Sequence, residues 1–130
     1  MSIAYWCVLV AAVLPYLWAV VAKAARPGYN NRNPRAWAAK SNDYLVQRAH
    51  AAHLNAFEAF APFAAGVVLA QLAGVDAQTV NGLALAFVAF RVLHGLFYVA
   101  DKPPLRSLAW LGGIACALAL IVLAALRAGG

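Results

Sequence analysis

Arg48, Asn55 and Glu58 stand at intervals of seven and three residues in a run otherwise made of Ala, Leu, Phe and His. At about 100° per residue these spacings put all three on one helical face. A guanidinium, an amide and a carboxylate among apolar side chains suit a small, multiply charged anionic ligand that also carries an ammonium group. Arginine holds a carboxylate in a forked pair, and the glutamate is free to take the ammonium. Farther along, Arg91, His94 and Tyr98 share a face at intervals of three and four, and Arg106 and Ser107 follow directly on an Asp-Lys-Pro-Pro stretch. Together the eight residues predict one polar cavity, with three arginines and a buried carboxylate, near the loop ends of their helices. The plainer readings are that Glu58 only neutralises Arg48 or Arg91, and that the arginines snorkel to an interface. The joint occurrence on two helices favours a site. His50 and His53 fall on the other side of the helix with Phe57 and Phe60, and are expected to be interfacial or packing residues.

The elements that must position these groups are greasy. Of the 130 residues, 65% are hydrophobic and 11% charged, and the mean hydropathy is +0.75. A soluble domain is about 45–50% apolar and about 25% charged, so the excess apolar surface must face lipid or a partner. Four apolar runs, 3–22, 44–73, 78–100 and 105–126, are each long enough to cross about 30 Å of hydrocarbon. They predict an all-α integral membrane protein with a four-helix bundle in a single domain over 1–130. The first run has no Lys or Arg before it and is long for a signal peptide, so it is expected to be retained. Pro15 should kink it. Residues 23–43 form a polar, basic loop rich in Asn, Pro and Gly, with a short helical turn near Arg35–Lys40. Ser41, Asn42 and Asp43 offer caps for the second span. The two prolines of the 101–104 stretch are expected to hold it as a tight turn. Cys7 and Cys116 lie inside spans and read as buried small hydrophobes, and no metal-ligand spacing is present.

The net charge of +6 does not point to nucleic acid, because the basic residues cluster at the ends of apolar runs. Nine of the ten Lys and Arg fall in or near the loops after the first and third spans, and Arg127 alone lies toward the other face. The positive-inside rule therefore puts both basic loops in the cytoplasm. The compact, alanine-rich chain suggests a bacterial inner membrane.

VQRAHAAHLNAFEAFAPF (Val46–Phe63) followed by FRVLHGLFYVADKPPLRSLAW (Phe90–Trp110) resembles the MAPEG family, the membrane-associated proteins in eicosanoid and glutathione metabolism, in a bacterial-type member. The likeness covers nearly the whole chain. It implies a homotrimer of four-helix bundles in membrane lipid, with glutathione as co-substrate bound between neighbouring subunits near the cytoplasmic face and a small lipophilic substrate arriving from the bilayer. Carried across residue by residue, it implies that Asn55 and Glu58 hold the peptide and amino end of glutathione. Arg91, His94 and Tyr98 line the site, and Arg48 is a basic position near the start of the second span. Arg106 stabilises the thiolate beside the Ser107 hydroxyl. This sequence departs from the glutathione-using members at Ala51 and Leu54, where further basic residues are usual, and at Trp110, where a tyrosine is frequent.

The implied activity is that of a glutathione-dependent transferase or peroxidase acting on lipophilic electrophiles or lipid hydroperoxides. The alternative within the same fold is a non-catalytic lipid-binding or scaffold protein, which the departures at Ala51 and Leu54 motivate. A transporter is disfavoured because no span carries a polar stripe from one side to the other.

Overall fold

The computed structural model describes residues 2–26 and 28–130; Met1 and Pro27 lie outside them. Five helices follow in order: α1 (Ser2–Ala25), α2 (Pro34–Lys40), α3 (Tyr44–Leu72), α4 (Ala77–Val99) and α5 (Pro103–Gly129). No strand occurs among the described residues. The helices α1, α3, α4 and α5 are each long and apolar enough to cross a membrane, so the chain is an all-α, four-span membrane bundle, and α2 is the short helix expected in the basic loop.

Local chemistry sets the helix ends. Asp43 caps α3, its carboxylate accepting the backbone N–H groups of Leu45 at 2.9 Å and Val46 at 3.3 Å. Asp76 caps α4 by accepting from the Thr79 N–H. At the end of α3, Gly74 takes a φ of +76°, and Val75 N–H bonds back to the Ala70 carbonyl, the left-handed stop that favours glycine. The end of α4 has the same wiring, with Lys102 N–H on the Phe97 carbonyl and Asp101 in the left-handed position at φ 60°. Pro103 and Pro104 differ from expectation. They form the first turn of α5 rather than holding it off, because an N-terminal turn needs no N–H from those positions and their φ is already helical.

The bundle is closed by α1 packing on α3 and α4, α5 packing on the same two helices, and a diagonal contact between α3 and α4. Small residues permit the close approach that lipid-embedded helices rely on. The tightest contact is at Gly95, where a β-carbon would lie 1.9 Å from the Trp18 ring. Phe63 and Phe87 stack at 3.9 Å between centroids in the core farther from the α1–α3 loop. Cys7 and Cys116 are free and buried, as expected.

Among the described residues the one ion pair joins Arg26 Nε to Asp43 Oδ2 at 2.6 Å, tying the end of α1 to the start of α3. Burial alone would raise the Asp43 pKa. The Val46 and Leu45 amides and the Arg26 guanidinium outweigh that and hold it below its ordinary value. A carboxyl with a folded-state pKa below its unfolded one stabilises the fold fully above the ordinary value and loses that contribution as the pH falls through the lowered one. Acidification below pH about 4 is therefore expected to lower the protection factors of the amides in the first turn of α3, each taken relative to the intrinsic exchange rate at that pH. Asp43→Ala, which removes the accepting oxygens, should show low protection already at neutral pH and little further loss in acid.

Candidate functional site

The residues singled out by spacing fall into three neighbouring groups rather than one cavity. The first is a groove of about 190 Å³ where α3, α4 and α5 meet, lined by Asn55, Glu58, Ala59, Arg91, Trp110 and Ile114. Arg91 is buried, 3% exposed, and its Nη2 donates to Asn55 Oδ1 at 2.7 Å. Gly113 leaves room for the arginine stem, since a β-carbon there would lie 3.3 Å from Arg91 Cδ. This explains how a guanidinium can occupy the inside of an apolar bundle: a small residue makes the space and one amide oxygen meets part of its donor set. Arg91 Nε is buried without an acceptor. A donor left that way is costly, and it suits a groove that receives an acceptor-rich ligand.

Glu58 differs from the expected buried carboxylate. It lines the groove but is exposed on the side of the single chain, because α3 there turns an edge outward that no other helix of the same chain covers. Neither Arg48 nor Arg91 forms an ion pair with it among the described residues, so the carboxylate is not consumed in tying helices together. Its depth also differs from expectation. It stands at the midpoint of α3 (Tyr44–Leu72), so the polar residues run from the loop end down to the middle of the bundle.

The second group stacks near the loop end of α4 and the start of α5. His94 is buried at 2% exposure, with its ring edge-on to Tyr98 at 5.5 Å. The Arg106 guanidinium lies over the Tyr98 ring, 4.4 Å from the centroid, a cation–π contact that fixes a long side chain against a flat surface. Arg106 is half-buried, while Ser107 is exposed on the same turn. His94 Nδ1 is buried without a partner. The third group is Arg48 by itself, with Nε donating to the Val99 carbonyl at 3.4 Å near the end of α4.

The two histidines set aside as packing residues do more than pack. His53 is 7% exposed, and its Nδ1 is 2.6 Å from the Pro15 carbonyl. With His50 it faces a separate cavity between α1, α2 and α3. The signal for this was present in their i, i+3 spacing, but what that face meets depends on the fold of the basic loop. Trp110 and Ile114, one and two turns after Arg106, form a groove wall that residue type alone does not mark. Among the described residues no group of three or more His, Cys, Asp or Glu could hold a metal ion.

A four-span membrane bundle that brings a buried arginine, an amide and an unpaired carboxylate to one groove defines the class of protein. The model of the MAPEG family matches residues 3–126, nearly the full 130 residues, and the chain belongs to that family. No curated protein and no solved structure gives a significant match.

Proposed function

We propose that this protein is a glutathione-dependent transferase or peroxidase acting on lipophilic electrophiles or lipid hydroperoxides. The observation that carries the reading is the groove in which buried Arg91, held by Asn55, stands beside the unpaired carboxylate of Glu58. A ligand with carboxylates and an ammonium group meets complementary charges on both counts. Glutathione has that pattern, and family membership makes it the natural candidate.

In this reading Asn55 and Glu58 hold the peptide and amino end, and Arg48 and Arg91 supply positive charge for the carboxylates. His94 and Tyr98 line the wall. Arg106, supported on the Tyr98 ring, stabilises the thiolate, with the Ser107 hydroxyl nearby. A thiol of pKa about 8.5 is only a few per cent ionised at neutral pH, and a guanidinium beside it favours the anion. In conjugation the thiolate sulfur attacks an electrophilic carbon, the S–C bond forms, and the leaving group departs with its electron pair and takes up a proton. In peroxide reduction the sulfur attacks oxygen and the O–O bond breaks. The alkoxide takes a proton, and the oxidised sulfur condenses with a second glutathione to give a disulfide and water.

The same reading makes the working unit a homotrimer in the bacterial inner membrane, with both basic loops cytoplasmic and a neighbouring subunit completing each groove. The outward-facing carboxylate of Glu58 supports the last point. Calorimetry on purified protein tests the assignment. Glu58→Gln is expected to weaken glutathione binding about tenfold, the size of one charge-assisted hydrogen bond. Unchanged affinity in this variant would remove Glu58 from the binding site, and no heat with the parent protein would return the chain to the non-catalytic lipid-binding alternative.

A further inference from the structure

We propose that the crevice at the end of the bundle opposite the basic loops is a binding site for a phospholipid headgroup that carries a primary ammonium beside its phosphate. The crevice is about 610 Å³ and lies between the α3–α4 connection and the last turns of α5, where Gly74, Asp76, Thr79, Leu123, Leu126 and Arg127 line it. It is at the other end of the spans from Arg106 and does not depend on the thiol chemistry assigned there.

Charge is the first argument. Arg127 is the single Lys or Arg that the sequence sends to this end, and Asp76 is the single acidic side chain there; Asp43 and Asp101 belong to the opposite end and Glu58 to mid-span. Both charges line the one crevice, yet no ion pair joins them among the described residues. An exposed pair of this kind is worth little and would not hold the crevice shut against a ligand. A zwitterion answers both charges: its phosphate meets the guanidinium and its ammonium the carboxylate, each through a charge-assisted bond.

The second argument is the arrangement of the Asp76 oxygens. Oδ2 accepts the Thr79 N–H at 3.0 Å and the Thr79 hydroxyl at 3.1 Å. These bonds cap α4 and hold the carboxylate on the crevice wall. Both fall on Oδ2, so Oδ1 keeps its lone pairs for an N–H donor. A quaternary ammonium has no such hydrogen, which separates a primary amine from choline. Gly74, at φ +76°, has nothing within 4 Å of where a β-carbon would stand, so the connection leaves the mouth of the crevice open.

Position selects a lipid over a free zwitterion. Arg127 is in the last turn of α5 and Asp76 immediately precedes α4, so both charges stand where membrane spans end, at the headgroup level of a bilayer. Leu123, about one turn before Arg127, continues the crevice wall toward the hydrocarbon together with Leu126. Leu126 is 69% exposed and offers an apolar surface to an acyl chain. At about 30 Å³ per water, the volume takes roughly twenty water-sized groups, enough for a phosphoethanolamine and the glycerol esters behind it.

The experiment is native mass spectrometry of the purified full chain after exchange into mixed micelles with phosphatidylethanolamine, phosphatidylglycerol or phosphatidylcholine of matched acyl chains. The second has the phosphate without an ammonium, and the third has an ammonium without an N–H. Retention of phosphatidylethanolamine about tenfold above the other two is expected, equivalent to one charge-assisted bond. Asp76→Asn keeps an oxygen for the Thr79 cap and loses the charge, so it should remove the preference. Arg127→Gln, at an exposed position, should lower retention of all three lipids, and Arg32→Gln, exposed in the basic loop, should leave the preference intact. Equal or stronger retention of phosphatidylglycerol would reduce Arg127 to an unselective interfacial cation and overturn the proposal. Equal retention of phosphatidylcholine, or a preference unchanged in Asp76→Asn, would overturn it as well. Displacement of the lipid by millimolar phosphoethanolamine would assign the crevice to a free zwitterion and overturn the lipid assignment.

Discussion

Arg106→Ala is expected to lower kcat/KM for glutathione conjugation or peroxide reduction by about 10²–10³-fold, the usual loss when one preorganised group stabilising a developing or resident anion is removed. The side chain is in the first turn of α5, set by Pro103 and Pro104, and its guanidinium rests on the Tyr98 ring. It is half-buried and bonds to no carboxylate among the described residues, so its removal should leave the fold intact. The thiolate absorbance of bound glutathione separates this role from simple binding. In Arg106→Ala the absorbance at neutral pH should vanish and return only at more alkaline pH, with affinity for glutathione reduced far less than turnover. A variant that keeps the thiolate signal and the rate would remove Arg106 from the chemistry. Tyr98→Leu is the companion test of the stacking contact: the charge stays but its support is gone, and an intermediate rate is expected.

The second large effect falls on the fold. Gly95→Ala is expected to destabilise the bundle by about 1–3 kcal/mol or more, the cost of forcing atoms into a filled core. The new methyl would sit 1.9 Å from Trp18 Cζ2 and 2.1 Å from Cε2, and the indole is 4% exposed, with little room to retreat. Thermal unfolding in detergent measures it. Trp18→Leu in the same chain should recover part of the loss, since the two changes share one contact and cannot be additive. Independent, additive losses would show that α1 and α4 do not meet where Gly95 and Trp18 place them.

The four spans were legible because a run of apolar residues long enough to cross a bilayer has few other uses, and the cap of α3 was legible because Asp43, with Ser41 and Asn42, stands just before such a run; the Asp76 cap of α4 was not singled out, since Asp76 reads equally as a turn residue after Gly74. The proline pair at 103 and 104 was read as an obstacle, although the first turn of a helix is the one place where a missing N–H costs nothing. For the candidate site, periodicity placed Asn55 and Glu58 on one face and Arg91 and His94 on another. It could not say that Asn55 would turn to Arg91 while Glu58 faced outward. Spacing fixes an angle about a helix's own axis; the neighbour found at that angle depends on how helices cross. His53 is the clearest instance, since its bond to the Pro15 carbonyl joins positions 38 residues apart.

The outward carboxylate of Glu58 also bears on how the chain exists in a bilayer. An acidic side chain at the centre of a span costs about 2.5–3.5 kcal/mol on insertion scales, and a solitary subunit would carry that cost toward lipid. In the proposed trimer the cost is relieved when a neighbour covers the groove, so hiding the carboxylate and forming the assembly become one equilibrium governed by mass action. Abundance in the membrane is then itself a determinant of stability: a sparsely expressed chain would be the less stable one, with no change in its sequence.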